Sequence, residues 1–176
     1  EEQDQEIVTI IVKNVNREPV INTFSPANLN IKFREGLNLN FEHTSSDPDN
    51  DVLSYSWKLD NIEQATTQNW VYSVPEGVCG VKNVKLEVTD GEALVSKEWQ
   101  VTIRLKGDVN LDGKVDIFDL AEVGLAYRST PGDENWNSNA DINPYPASDG
   151  SSEGDGKIDI FDLATIGLNY GRSCSE

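Results

Sequence analysis

One sixteen-residue phrase occurs twice in this chain. Asp112–Tyr127 reads DGKVDIFDLAEVGLAY and Asp155–Tyr170 reads DGKIDIFDLATIGLNY, with twelve of sixteen positions identical at an offset of 43. The first copy follows Asp108-Val-Asn-Leu. Oxygen-bearing side chains therefore stand at positions 1, 3, 5, 9 and 12 of Asp108–Asp119, with Gly113 at position 6. This is the spacing of a twelve-residue calcium loop, in which a hard cation gathers six to eight oxygens from one short segment. Asp108, Asn110 and Asp112 alternate so that three side chains converge from one turn, and Gly113 allows the bend. Lys114 supplies its backbone carbonyl, Asp116 acts directly or through water, and Asp119 closes the loop from the first turn of a helix.

The second copy starts less plainly. Asp141-Ile-Asn143 matches Asp108-Val-Asn110 at an offset of 33, so about ten extra residues lie within Pro144–Gly154, between the third and fifth ligand positions. The insert is rich in Pro, Ser and Gly, and lengthening a flexible loop costs little. Its ligands become Asp141, Asn143, Asp155, the Lys157 carbonyl, Asp159 and Asp162. A rival start at Asp149 stays open, although Asp149-Gly-Ser-Ser-Glu lacks the 1, 3, 5 spacing.

A paired calcium hand has a helix on both sides of its loop. Here Trp99-Gln-Val-Thr-Ile-Arg-Leu alternates as a strand and leads straight into Asp108, so each unit is a loop followed by one helix. With Asp at position 12 in both copies, Lys106–Arg172 resembles the dockerin family, which is built from two such loop–helix (F-hand) repeats. Ser129–Asn139, with Thr130-Pro131-Gly132-Asp133 and Trp136, resembles the connecting segment of dockerins in microbial surface proteins. The resemblance implies two bound Ca2+ ions and a cohesin module as partner. Many dockerins carry a polar pair at loop positions 10 and 11. This chain has Ile117-Phe118 and Ile160-Phe161, which leaves the class of cohesin open.

Helical spacing gives each repeat two apolar stripes. Leu120, Val123 and Tyr127 form one, repeated by Leu163, Ile166 and Tyr170, and these are expected to be buried. Phe118, Ala121 and Leu125 form the other, repeated by Phe161, Ala164 and Leu168. A two-helix unit does not easily bury both. The second stripe, with Ile117 and Ile160, is therefore expected to face a partner. The alternative is that the phenylalanines fold back under the linker or against the rest of the chain.

Residues 16–105 read as strands. Leu29, Ile31 and Phe33 alternate, as do Leu37, Leu39 and Phe41; Leu53, Tyr55 and Trp57; Trp70, Tyr72 and Val74; and Val84, Leu86 and Val88. Turn signals separate them, and one buried face per strand predicts an antiparallel immunoglobulin-like β-sandwich with Trp57 in its core. Residues 1–15, with the strand Ile7–Val12, are either the end of a preceding module or the first strand of this one. Asn16-Arg-Glu-Pro-Val, Ser46-Asp-Pro-Asp-Asn-Asp and Val88-Thr-Asp-Gly resemble polycystic-kidney-disease-like and cadherin-like modules of microbial surface proteins. In some relatives the matching Asn16, Asp47, Asp49 and Asp90 bind one calcium. Read alone, the same residues are ordinary turn formers.

The chain is therefore expected to be multidomain: 1–15, a sandwich over 16–105, and a small α-helical dockerin over 106–172. A net charge of −17 makes nucleic acid and anionic membrane poor partners. No apolar run is long enough to span a membrane. The lack of Met and of a signal peptide reads as a mature or excised fragment. Cys79 and Cys174 lie in different modules, which favours two free thiols over a disulfide. His43 is the single histidine, sits among loop-like neighbours, and reads as a surface residue. It leaves little material for a triad or zinc site, so the chain itself is not expected to be an enzyme. The function expected is non-catalytic, calcium-dependent docking of a monomeric extracellular or cell-surface protein onto a cohesin. Alternatives are a calcium-rigidified surface stalk without cohesin, and the C-terminal piece of a polysaccharide-degrading enzyme.

Overall fold

A computed structural model describes residues 15–143 and 154–174. Ile7–Val12, Asp149 and all of the loop insert except Gly154 lie outside these. Eight strands precede two helices: β1 (Val20–Ser25), β2 (Asn30–Arg34), β3 (Asn38–Ser46), β4 (Ser54–Leu59), β5 (Ile62–Ala65), β6 (Trp70–Ser73), β7 (Gly80–Thr89), β8 (Leu94–Arg104), α1 (Ile117–Leu125) and α2 (Ile160–Asn169). The strands form a β-sandwich of two sheets, ordered β1-β3-β6 and β2-β8-β7-β4-β5. All consecutive strands switch sheets except the hairpins β4–β5 and β7–β8, which is the connectivity of an immunoglobulin-like sandwich.

Alternation fixes which face is buried. On β7, Val84, Leu86 and Val88 are fully enclosed, and on the paired β8 so are Trp99, Val101 and Ile103. Trp57 on β4 has no exposed surface and lies opposite Leu86. Phe41, Trp57 and Trp99 pack with ring centroids 5.2–5.8 Å apart. Each indole N–H needs an acceptor when buried. Trp99 donates to the Pro26 carbonyl at 2.8 Å and Trp57 to that of Thr67 at 3.1 Å.

Four expectations need correction. The sandwich is not wholly antiparallel. After β1 pairs with β3, the chain crosses to the other sheet, and β2 runs parallel to β8, with Arg34 opposite Arg104. Alternation gives a strand's faces but not its partner's direction. His43 is not a surface residue. It is 3% exposed and packs edge-on against Tyr55 and Trp57, because it continues the inward register of Leu39 and Phe41 on β3. Cys79 and Cys174 are joined in a disulfide across 95 residues, because the chain after α2 returns to the sandwich. Finally, Tyr127 and Tyr170 are exposed. Each lies past the end of its helix, and Ala126 is buried in place of Tyr127.

A second apolar cluster begins where β8 ends. It gathers Leu105, Val109, Val115, Val123, Ala126, Ala140, Ile142, Ile158 and Ile166, with Cys79, Leu120, Trp136, Leu163 and Cys174 against it. Between the two clusters lies a polar joint. Glu35, buried at the end of β2, accepts from the Lys106 amide at 2.8 Å, from the Gly77 amide, and from both Arg172 Nη atoms at 2.6 Å.

Candidate functional site

The two repeats fold alike because the same carboxylates organise the same amides. In the first loop Asp119 Oδ1 accepts from Val109 N–H at 2.7 Å and Asn110 N–H at 3.2 Å, and Oδ2 accepts from Asp116 N–H at 2.8 Å. In the second, Asp162 Oδ1 accepts from Ile142 and Asn143 N–H, both at 2.8 Å, and Oδ2 from Asp159 N–H at 2.7 Å. Asp116 and Asp159 are the helix N-caps. Each accepts from the amide two residues on, and Asp119 or Asp162 completes a capping box. The position 1 residues hold the bend: Asp108 Oδ2 takes Gly113 N–H at 3.0 Å, and Asp141 Oδ2 takes Gly156 N–H at 2.8 Å. Asp112 and Asp155 accept from Lys114 and Lys157 N–H. Gly113 has φ 83°, and a Cβ there would lie 2.9 Å from Cys174 Sγ, so both its conformation and its neighbour require glycine.

The loops differ around position 1. Asp112 N–H bonds Asp108 Oδ1 at 3.1 Å. In the second loop the Asp155 amide also lowers the Asp141 carboxyl, but Asp141 Oδ1 is buried without a partner. A side chain on Gly154 would collide with this carboxylate.

The repeats are also cross-paired. Gly171 N–H bonds the Val115 carbonyl at 2.8 Å, and Val115 N–H the Arg172 carbonyl at 2.9 Å. Equivalently, Arg128 N–H bonds the Ile158 carbonyl at 2.7 Å, and Ile158 N–H the Ser129 carbonyl at 3.1 Å. Each loop is thus stitched to the segment following the other repeat's helix, an arrangement with approximate two-fold symmetry.

Electrostatics in both loops favour a cation. Burial, and then repulsion from Asp119 and Asp112, raises the Asp108 carboxyl. Burial, and then Asp162 and Asp155, raises Asp141 to about 6. Burial, and then Asp159, raises Asp162. Buried carboxylates that repel one another are what a bound divalent ion would relieve. Asp108, Asn110, Asp112, Lys114, Asp116 and Asp119 share one loop, and Asp141, Asn143, Asp155, Lys157, Asp159 and Asp162 the other. Their oxygens are spread among backbone amides rather than bunched. Among the described residues, the three acids whose oxygens lie within 4.8 Å of one another are Asp47, Asp49 and Asp51.

The residues at the sandwich pole fall into two hydrogen-bonded groups. Asn16 Nδ2 donates to Asp90 Oδ2 at 2.9 Å, while Asp47 holds the amides of Asp49 and Asp51. The structure forms an Asn16–Asp90 pair and an Asp47–Asp49–Asp51 turn, with Asp90 near enough to Asp49 to repel it. Arg17 supplies a cation there already: its Nε lies 3.0 Å from Asp49 Oδ1, and its hydrogen bonds lower the Asp49 carboxyl.

The residues expected to face a partner are all exposed: Ile117, Phe118, Ala121 and Leu125 on α1, and Ile160, Phe161, Ala164 and Leu168 on α2. Phe118 and Phe161 are 65% and 59% exposed, and Leu125 and Leu168 are 76% and 86%. These near-equal values mean that the sandwich covers neither copy. Sequence reasoning missed Arg17, Arg34, Glu35, Asp51, Arg104 and Arg172. Arg34 and Glu35 carried a weak signal, since they follow the inward Phe33 at a strand end.

No protein-family model matches the chain, and no curated protein matches it. Solved structures do. A quinonprotein alcohol dehydrogenase-like protein of Bacteroides thetaiotaomicron matches at 13% identity and TM-score 0.41, over 51% of this chain and 20% of its own length. The fibronectin(III)-like modules of Clostridium thermocellum CbhA match at 13% identity and TM-score 0.43, over 53% of this chain and 50% of theirs. The PKD1 domain of Vibrio anguillarum Epp matches at 21% identity and TM-score 0.37, over 52% of this chain and 99% of its own. This chain thus spans half or less of the first two. Likenesses this distant add nothing to what the strand order already states.

Proposed function

We propose that this chain is a non-catalytic, calcium-dependent docking module of an extracellular or cell-surface protein. In this reading the sandwich is a spacer, and the helix pair is a dockerin that takes two Ca2+ ions and binds a cohesin. The observation that carries it is the cross-paired duplication: two loops with the same carboxylate-to-amide bonds, each starting a helix that presents Ile-Phe to solvent. Paired, exposed apolar faces on a small acidic protein favour a protein partner over a small ligand. The disulfide supports an oxidising compartment. Asp47, Asp49 and Asp90 offer oxygens for a third ion, in competition with Arg17.

The test is capture of the full chain by immobilised cohesins of different types, with calcium and with chelator. Binding to one type that chelator abolishes supports the reading. A second reading, a calcium-stiffened stalk without cohesin, draws support from the Glu35–Arg172 joint and the disulfide, which fix the helix pair to the sandwich. It predicts calcium binding with no cohesin capture.

A further inference from the structure

Outside the loops' own ligands, the most unusual buried polar groups are two arginines in register at the base of the sandwich. Arg34 ends β2 and Arg104 ends β8, and they are 6% and 7% exposed. Arg34 Nη1 donates to the Ile142 carbonyl at 2.8 Å, and Arg104 Nη1 to the Asn139 carbonyl at 3.1 Å. Between these acceptors lie Ala140 and Asp141, and Asp141 occupies ligand position 1 of the second loop. We propose that Arg34 is a positioning residue for this loop, so that the sandwich is part of the second cation site and not of the first. This rests on the calcium reading above.

The Ile142–Asn143 peptide is held from both sides. Its carbonyl faces the Arg34 guanidinium, and its N–H donates to Asp162 Oδ1 at 2.8 Å. A positive charge on the carbonyl polarises the peptide and strengthens the N–H as a donor. The equivalent first-loop peptide, Val109–Asn110, receives no arginine among the described hydrogen bonds, and its N–H stands 3.2 Å from Asp119 Oδ1. In the second loop Asp141 Oδ1 is buried without a partner, whereas Asp108 Oδ1 in the first accepts from Asp112 N–H. Arg34 fixes the peptide joining Ile142, which lies between ligand positions 1 and 3, to Asn143, and so orients Asp141 and Asn143 before any ion arrives. Groups that orient metal ligands change affinity by about 10- to 100-fold when removed.

Calorimetric titration with CaCl2 tests this on the full, oxidised chain. An Asp108→Ala background leaves the second loop to bind, and Asp141→Ala leaves the first. Arg34→Met is expected to weaken binding at least tenfold in the first background and less than twofold in the other. Arg34→Lys, which keeps a charged donor for the Ile142 carbonyl, is expected to restore part of the loss and covers the case that Arg34→Met does not fold. Without calcium, hydrogen exchange at the Asn143 amide should speed up in Arg34→Met while that at Asn110 does not. Unchanged affinity in the Asp108→Ala background, or equal weakening in both, overturns the proposal. If the unsubstituted chain binds no calcium, the calcium reading fails, and the two amides still decide whether Arg34 orders the loop.

Discussion

Glu35 is where the sandwich and the helix pair are most exposed to a single substitution. Its side chain is 3% exposed and accepts from two amides and a two-pronged guanidinium. Glu35→Ala leaves Arg172 without its carboxylate and strands the Gly77 and Lys106 amides. Arg172 is 31% exposed and can regain water, so the loss is mainly that of charge-assisted hydrogen bonds to two amides and a guanidinium, about 2–4 kcal/mol. For a chain of this size that lowers Tm by roughly 4–16 °C. Thermal unfolding, read by tryptophan fluorescence for the sandwich and by helical circular dichroism for the repeats, measures it. Arg172→Met in the same chain should return part of the loss, because the stranded charge is gone. A Tm change below about 2 °C for Glu35→Ala would refute the view that this joint couples the two clusters. The joint is also acid-sensitive. Burial alone would raise the Glu35 carboxyl, but the bonds from Gly77, Lys106 and Arg172 overcome that and hold it below its usual 4.5. The folded state therefore binds its proton more weakly than the unfolded chain. The joint's contribution is complete above the ordinary carboxylate range and is lost as pH falls through the depressed value.

Three further outcomes are expected. Asp141 is raised from 3.8 to about 6, so the calcium-free helix pair should lose stability as pH rises through that window, by about 3 kcal/mol. Calcium should cancel the loss, and a flat chelated profile in denaturant titrations would contradict the assignment. Burial lowers the His43 imidazole, outweighing the opposing effect of the nearby Gln68 backbone. The sandwich should therefore weaken as pH falls below 6.5, and His43→Phe should remove that slope, as followed by fluorescence-detected unfolding. Against a cognate cohesin, Phe118→Ala and Phe161→Ala should each change affinity little, because either exposed face can serve, whereas the double substitution should abolish binding. Loss of binding from one single change in a folded protein would show the faces to be inequivalent.

The loops were legible because their chemistry is local. The aspartate spacing, Gly113 and the capping aspartates all fall within twelve residues, and each has a short-range reason to be there. The sandwich strands were legible because burial of one face writes alternation into Val84, Leu86 and Val88. What stayed hidden depends on pairings across the chain. Arg34 and Ile142 are 108 positions apart, and Glu35 and Arg172 are 137 apart. Apart from the place of Arg34 after the inward Phe33, nothing local distinguishes these arginines from solvated ones. The parallel direction of β2 likewise depends on which neighbour the strand finds, whereas His43 continues the alternation of Leu39 and Phe41 and was legible locally. Arg17 was overlooked although it adjoins Asn16, because a side chain's competition for Asp49 cannot be read from spacing.

The bond between Cys79 and Cys174 matters most when the molecule is pulled. A partner gripping α1 and α2 while the rest of the protein is held elsewhere puts the chain under tension. Without the cross-link, the chain spanning the 95 positions from Cys79 to Cys174 would pay out roughly 320 Å of slack at ~3.4 Å per residue. With it, force passes from the sandwich edge into the far end of the helical unit through two sulfur atoms. The segment carrying both helices hangs as a closed loop, shielded from extension between its ends, and the grip survives strain that would otherwise unravel the surface being gripped.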